Sequence, residues 1–166
     1  MILTTHAIAG AAVGSLTPSH PVAGFAIGFI SHFVLDAIPH WHYPLDAITI
    51  DANDPMKNNM RINKDFVFDM LKIGFDAALG IALSLLLFQS SHGYSLLAAL
   101  MGASGGIAPD ALQFVYWKWR HQPLIALQRF HIWIHAKTNL DAVPMLGISL
   151  QAFLALVIAV MWNSIS

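Results

Sequence analysis

The sequence predicts an all-α polytopic membrane bundle: about five transmembrane helices plus an interfacial amphipathic helix, in one domain over residues 1–166. Three observations predict it. The chain is 57% hydrophobic and only 10% charged, with a mean hydropathy of +0.62, where a soluble domain is about a quarter charged. Five apolar stretches approach the roughly 20 residues that a spanning helix needs. All eight basic residues fall in or beside two of the connections between those stretches. The net charge of −1 gives no surface for nucleic acid. The absence of cysteine excludes disulfides and thiolate metal sites.

The first stretch, about Ile2–Thr17, is short and Gly/Ala-rich and is stopped by Pro18 and Pro21. It has no Lys or Arg ahead of it and carries a histidine, so it reads as a retained helix rather than a cleaved signal. The second, about Val22–Ile38, is stopped by Pro39. The polar run His40–Lys64, rich in Asn, Asp and Pro, reads as loop or interfacial helix. The third stretch is about Phe66–Gln89, followed by a tight turn at Ser90-Ser91-His92-Gly93, and the fourth is about Tyr94–Trp117. Lys118–Thr138 is basic, aromatic and amphipathic, as expected of a helix at the interface or against the bundle. The fifth is about Leu140–Trp162.

Charge sets the expected orientation. Lys57, Arg61, Lys64 and Lys72 lie in or beside the second-to-third connection, and Lys118, Arg120, Arg129 and Lys137 in the fourth-to-fifth. The positive-inside rule puts both, and the N-terminus, in the cytoplasm, as for a multi-pass protein of the cell inner membrane. Trp41, Tyr43, Tyr116, Trp117 and Trp119 then suit a cytoplasmic aromatic belt, and Tyr94 and Trp162 the opposite one. Gly10/Gly14, Gly24/Gly28 and Gly102, Gly105 and Gly106 mark faces where helices approach closely. Gly28…Asp36-Ala37 aligns with Gly102…Asp110-Ala111, and His6-Ala7…Gly10 with Asp76-Ala77…Gly80, a faint sign of a duplicated helix pair.

The polar residues of these apolar stretches carry the chemistry. His32 and Asp36 are four apart and share one helix face. His6, Asp76, Asp110 and the His131/His135 pair fall at a matching depth, in one cytoplasmic slab; ionisable groups so placed are costly and mark sites. Imidazole and carboxylate suit zinc first, with manganese or iron as alternatives. The expected metal ligands are His6, His32, Asp36 and Asp110. Asp76, His131 and His135 are expected as catalytic groups or further ligands, and Lys72, Arg129 and Lys137 as holders of a substrate phosphate. His40 and His42 read as belt residues, and His20, His92 and His121 as turn or surface residues.

At His6, Ser31-His32-x-x-x-Asp36-x-x-Pro39, Pro109-Asp110 and His131-x-x-x-His135, the chain resembles the small inner-membrane proteins of the YdjM type, a group described as membrane-bound metal-dependent hydrolases. The resemblance implies a multi-helix membrane protein with a histidine in its N-terminal helix, a Pro/Asp-containing helix end and a later histidine pair. The tight His-Arg-Gly-x-x-His signature of that group is absent; Arg129-Phe130-His131 with His135 is a loose counterpart.

The leading expectation is therefore a metal-dependent hydrolase opening at the cytoplasmic leaflet onto membrane lipids, on an amphiphilic substrate such as a phosphorylated lipid. A metal or proton transporter and a non-catalytic membrane scaffold are the alternatives, with a homo-oligomer compatible with any of the three.

Overall fold

The computed structural model describes residues 1–88 and 95–165. The turn at Ser90-Ser91-His92-Gly93 and the belt position Tyr94 lie outside them. Among the described residues are six α-helices: α1 Leu3–Gly14, α2 Pro21–Asp36, α3 Lys64–Leu87, α4 Leu96–Lys118, α5 Leu124–Ile134 and α6 Pro144–Ile165. These match the five apolar stretches and the amphipathic segment. The run between α2 and α3 departs from expectation. It is neither bare loop nor interfacial helix, but a two-residue antiparallel pair, β1 Ile48–Thr49 with β2 Asn59–Met60, around a 3-10 turn at Pro55–Lys57. Asp54 and Pro55 explain the turn: the Asp54 carboxylate accepts from Met56 N at 3.0 Å, and proline suits a first helical position.

Two helices, α3 and α6 (over Pro144–Trp162), are long and apolar enough to cross a membrane. Their apolar side chains point outward: Val67, Phe68, Leu71 and Phe75 on α3, and Met145, Leu146, Phe153 and Leu156 on α6, are all exposed. Contiguous apolar surface of this kind marks contact with lipid or partners. The interior is the reverse, holding small residues and polar side chains, among them Thr5, His6, His32, Asp36, His40, Asp69, His131 and Gln151.

Small residues set the centre. α1, α2 and α4 pack on one another, and α3 and α6 pack on α1. Gly102 of α4 lies where α1 and α2 both cross; a methyl group on it would sit 2.9 Å from Gly14 Cα, and one on Gly28 would sit 3.1 Å from Gly102 Cα. Without side chains the three backbones come within reach of each other's polar residues. The apolar core on α1 and α4 is Ala7, Ile8, Ala11, Ala12, Ala99 and Ala103, closed by Phe88 and Trp162. Trp162 is buried there, edge-on to Phe88 at 5.5 Å, and is not the belt residue its terminal position suggests. Packing against a ring outweighs the interface preference of indole.

The start of α1 is tied down by its neighbours. Its N-cap residue, Ile2, has no side chain to satisfy the free amides. Asp76 of α3 does so instead: its carboxylate accepts from Leu3 N at 2.7 Å, Thr4 N at 3.1 Å and Thr4 Oγ1 at 2.6 Å. Gln151 of α6 accepts from Ile2 N at 3.0 Å and donates to Trp41 O at 3.1 Å. These bonds fix the height of α1, and with it His6.

Candidate metal centre

The last two turns of α2 carry His32 and Asp36, which face α4 and α5 across the glycine-lined contact. There Asp110 and His131 meet them. The four offer ligand atoms that all lie within 4.8 Å of one another, a group that can hold a metal ion. Asp36 Oδ2 is 3.0 Å from His32 Nε2 and 2.8 Å from His131 Nε2. The two Nε2 atoms are 3.3 Å apart, and Asp110 Oδ1 stands 3.6 Å from His32 Nε2 and 3.9 Å from His131 Nε2. With Zn–N bonds of about 2.0–2.1 Å, two tetrahedral ligand atoms lie about 3.3 Å from each other, so the spacing already fits an ion.

The protonation pattern fits it too. His32 Nδ1 is 2.8 Å from Gly106 O, and a carbonyl only accepts, so the proton is on Nδ1. In the neutral ring Nε2 then presents a lone pair to the carboxylate and to His131. A proton on His131 Nε2, which is 2.8 Å from Asp36 Oδ2 and 3.3 Å from His32 Nε2, can fill this space, and so can a cation. The Nδ1–H···O=C bond is the arrangement that orients a metal-binding imidazole. Gly106 also lets α1 pack closely on α4 here: a methyl group on it would lie 3.0 Å from the His6 carbonyl carbon. α4 runs unbroken through Pro109, so Asp110 sits within a continuous helix rather than capping a broken one.

His6 is stacked on His32, with ring centroids 3.9 Å apart, and its Nε2 is 3.2 Å from Asp36 Oδ1. That approach is out of line for a hydrogen bond, and neither of its fully buried ring nitrogens has a hydrogen-bond partner among the described residues. A buried imidazole with both nitrogens unmet is costly, and His6, expected as a ligand, stands beside the four-residue group rather than in it. The Met1 amino group lies 3.4 Å from the same Oδ1.

A second group is His40, His42 and His135, of which sequence reasoning assigned the first two to the aromatic belt and expected the third among the catalytic groups or further ligands. His40 Nε2 lies 2.9 Å from His42 Nε2, and the His135 ring centroid is 4.7 Å from that of His40. Burial, then the nearby Met1 amino group, push His40 down to about 3; burial also lowers His42 and His135. The signal available in the sequence was the His-x-His spacing after Pro39.

The other expected residues lie elsewhere. Asp76 of α3 belongs to neither group; its carboxylate closes the start of α1. Lys72 is held by Asp69 at 3.1 Å, Asp46 at 3.4 Å and Pro44 O at 3.2 Å. Arg129 is exposed on α5. Lys137 does reach the site. It lines a cleft of about 290 Å³ with His131, His135, Asn58 and Gln113.

No protein-family model, curated protein or solved structure matches the chain.

Proposed function

We propose that the protein is a membrane-embedded, metal-dependent hydrolase. The observation that supports this best is the convergence of His32, His131, Asp36 and Asp110 inside the helical bundle, with His131 also lining an open cleft. His32, Asp36 and His131 are the three buried ligands of a catalytic set that keeps a position free. Asp110, whose side chain is 31% exposed, is the least buried of the four and would take the proton of an attacking water. When bound, a divalent cation, zinc by the donor set, supplies Lewis-acid polarisation and a more acidic water.

The surroundings suit an amphiphile. On one side of α5 lies the polar cleft with Lys137, sized for a phosphate-bearing head. On the other lies an apolar groove of about 390 Å³, lined by Phe29, Ile30, Phe33, Val34, Leu127, Phe130 and Ile134. Ile30 and Val34 are exposed, so the groove opens where an acyl or isoprenoid chain would arrive from the bilayer. In this reading α1, α2 and α4 also span, with α3 and α6 around them. The basic connections and the N-terminus are cytoplasmic, and the site opens to the inner-membrane leaflet. The YdjM-type layout of His6, Pro109-Asp110 and the histidine pair points the same way.

A carrier needs polar lining on both sides of the midplane. Away from the cluster, Ser15, Thr17 and Ser84 spend their hydroxyls on carbonyls of their own chain segment, at 2.7–2.8 Å. That leaves the hydrolase ahead of a transporter. The test is release of phosphate from phosphorylated lipids in mixed micelles by the purified protein. His32→Ala is expected to lower the rate more than about a hundredfold, since outer-shell changes alone cost 10–100-fold; equal rates from the two proteins sink the reading.

A further inference from the structure

We propose that His40, His42 and His135 hold a second divalent cation, and that Asp36 bridges it to the first. The argument starts from ring nitrogens. His40 Nδ1 is 2.6 Å from Ile38 O, and His135 Nδ1 is 3.2 Å from Ala136 O; both oxygens only accept. His42 Nδ1 is 3.2 Å from the Asp141 carboxylate, which also accepts from His42 N at 2.8 Å. Each of the three rings therefore carries its proton on Nδ1, and each neutral ring has its lone pair on Nε2. Yet His40 Nε2 and His42 Nε2 face each other at 2.9 Å. Two lone pairs at that distance repel, and a cation bound to both removes the conflict. Three imidazoles whose far nitrogens are all tied to oxygen form the outer-sphere pattern of a histidine metal site, and three histidines with an open fourth position suit zinc.

The bridge follows from the two faces of one carboxylate. Asp36 Oδ2 is turned to His32 and His131, while Oδ1 is turned to His6 and, at 3.8 Å, to His40 Nε2. The main chain holds this register: Ala136 N donates to Asp36 O at 2.7 Å, and Leu140 N donates to His40 O at 2.9 Å. Both groups also border the same cleft, through His131 and His135. Two cations there would clamp one phosphoryl oxygen pair, as two-metal hydrolytic sites do. The bridge rests on the first cation of the proposed hydrolase; the three-histidine site does not.

The full chain in detergent, stripped with chelator and dialysed against Zn²⁺, is expected to hold two zinc ions by elemental analysis. His42→Ala, at the most exposed of the three rings, is expected to hold one. One ion in the unaltered chain, or two in His42→Ala, overturns the second site. Loaded with Mn²⁺, the unaltered chain is expected to give an exchange-coupled paramagnetic spectrum that His42→Ala converts to that of a single ion; two uncoupled ions overturn the bridge. A chain with two ions and no hydrolysis would overturn the hydrolase and leave this inference standing.

Discussion

The two histidine groups both border Asp36, at 2.8–3.0 Å in one and 3.8 Å in the other, but they rest on different scaffolds. His32, Asp36, Asp110 and His131 project from three helices, α2, α4 and α5, and are oriented by packing; His32 and Asp36 are essentially inaccessible. His40 and His42 come from the irregular segment after Pro39, and His135 is the residue on which α5 ends, with φ −59° and ψ 135°. His42 retains 38% of its side-chain exposure. A helical scaffold fixes a ligand through its neighbours' volume, whereas a loop must fix it through hydrogen bonds to the ring's far side. The helical group should then tolerate loss of any one outer-sphere bond, and the loop group should not.

The change expected to do most damage breaks both groups at once. Asp36→Asn keeps the volume of the side chain and removes the charge that faces His32, His131, His6 and His40. Zinc content is expected to fall from two to none at concentrations that saturate the unaltered protein, with affinity down more than about a hundredfold. Retention of one tightly held ion would show that the groups are independent and would break the comparison.

Much of the helical group was legible because helix geometry turns spacing into proximity. His32 and Asp36 share a face by their separation of four, and a common depth brings in His6, Asp110 and His131. The same rule misled at His131 and His135. The helix stops between them, so one ring joins the helical group and the other the loop group. His40 and His42 were not legible because no periodicity governs the segment after Pro39; their placement depends on contacts with Leu140 and Asp141, about a hundred residues away. The five apolar stretches were legible from hydropathy. The burial of Trp162 against Phe88 was not, since a terminal tryptophan reads as interfacial until its partner is in place.

A milder change sharpens the contrast. Asp141→Ala removes the oxygen that both orients His42 Nδ1 and accepts from the His42 amide. The second zinc is expected to bind about 10–100-fold more weakly, with the first unaffected. Titration with a competing chelator reads the two affinities separately. Equal weakening of both ions would mean that the loop group borrows its order from the helical one rather than from Asp141.

The smallest effect is expected at Asp76, whose depth in α3 suggests a role in the site and whose contacts give it another. Its carboxylate accepts from Leu3 N, Thr4 N and Thr4 Oγ1, closing the start of a helix whose own cap residue is isoleucine. Removing a cap costs about 0.5–2 kcal/mol, and the negative charge also suits a helix N-terminus. Asp76→Asn keeps an acceptor oxygen while losing the charge, so its loss of stability should be smaller than that of Asp76→Ala. Both variants are expected to bind two zinc ions and to hydrolyse at near the unaltered rate when assayed below their melting temperature. A hundredfold loss of rate in Asp76→Asn with unchanged melting would return Asp76 to the chemistry, because a cap acts through stability and leaves the barrier alone.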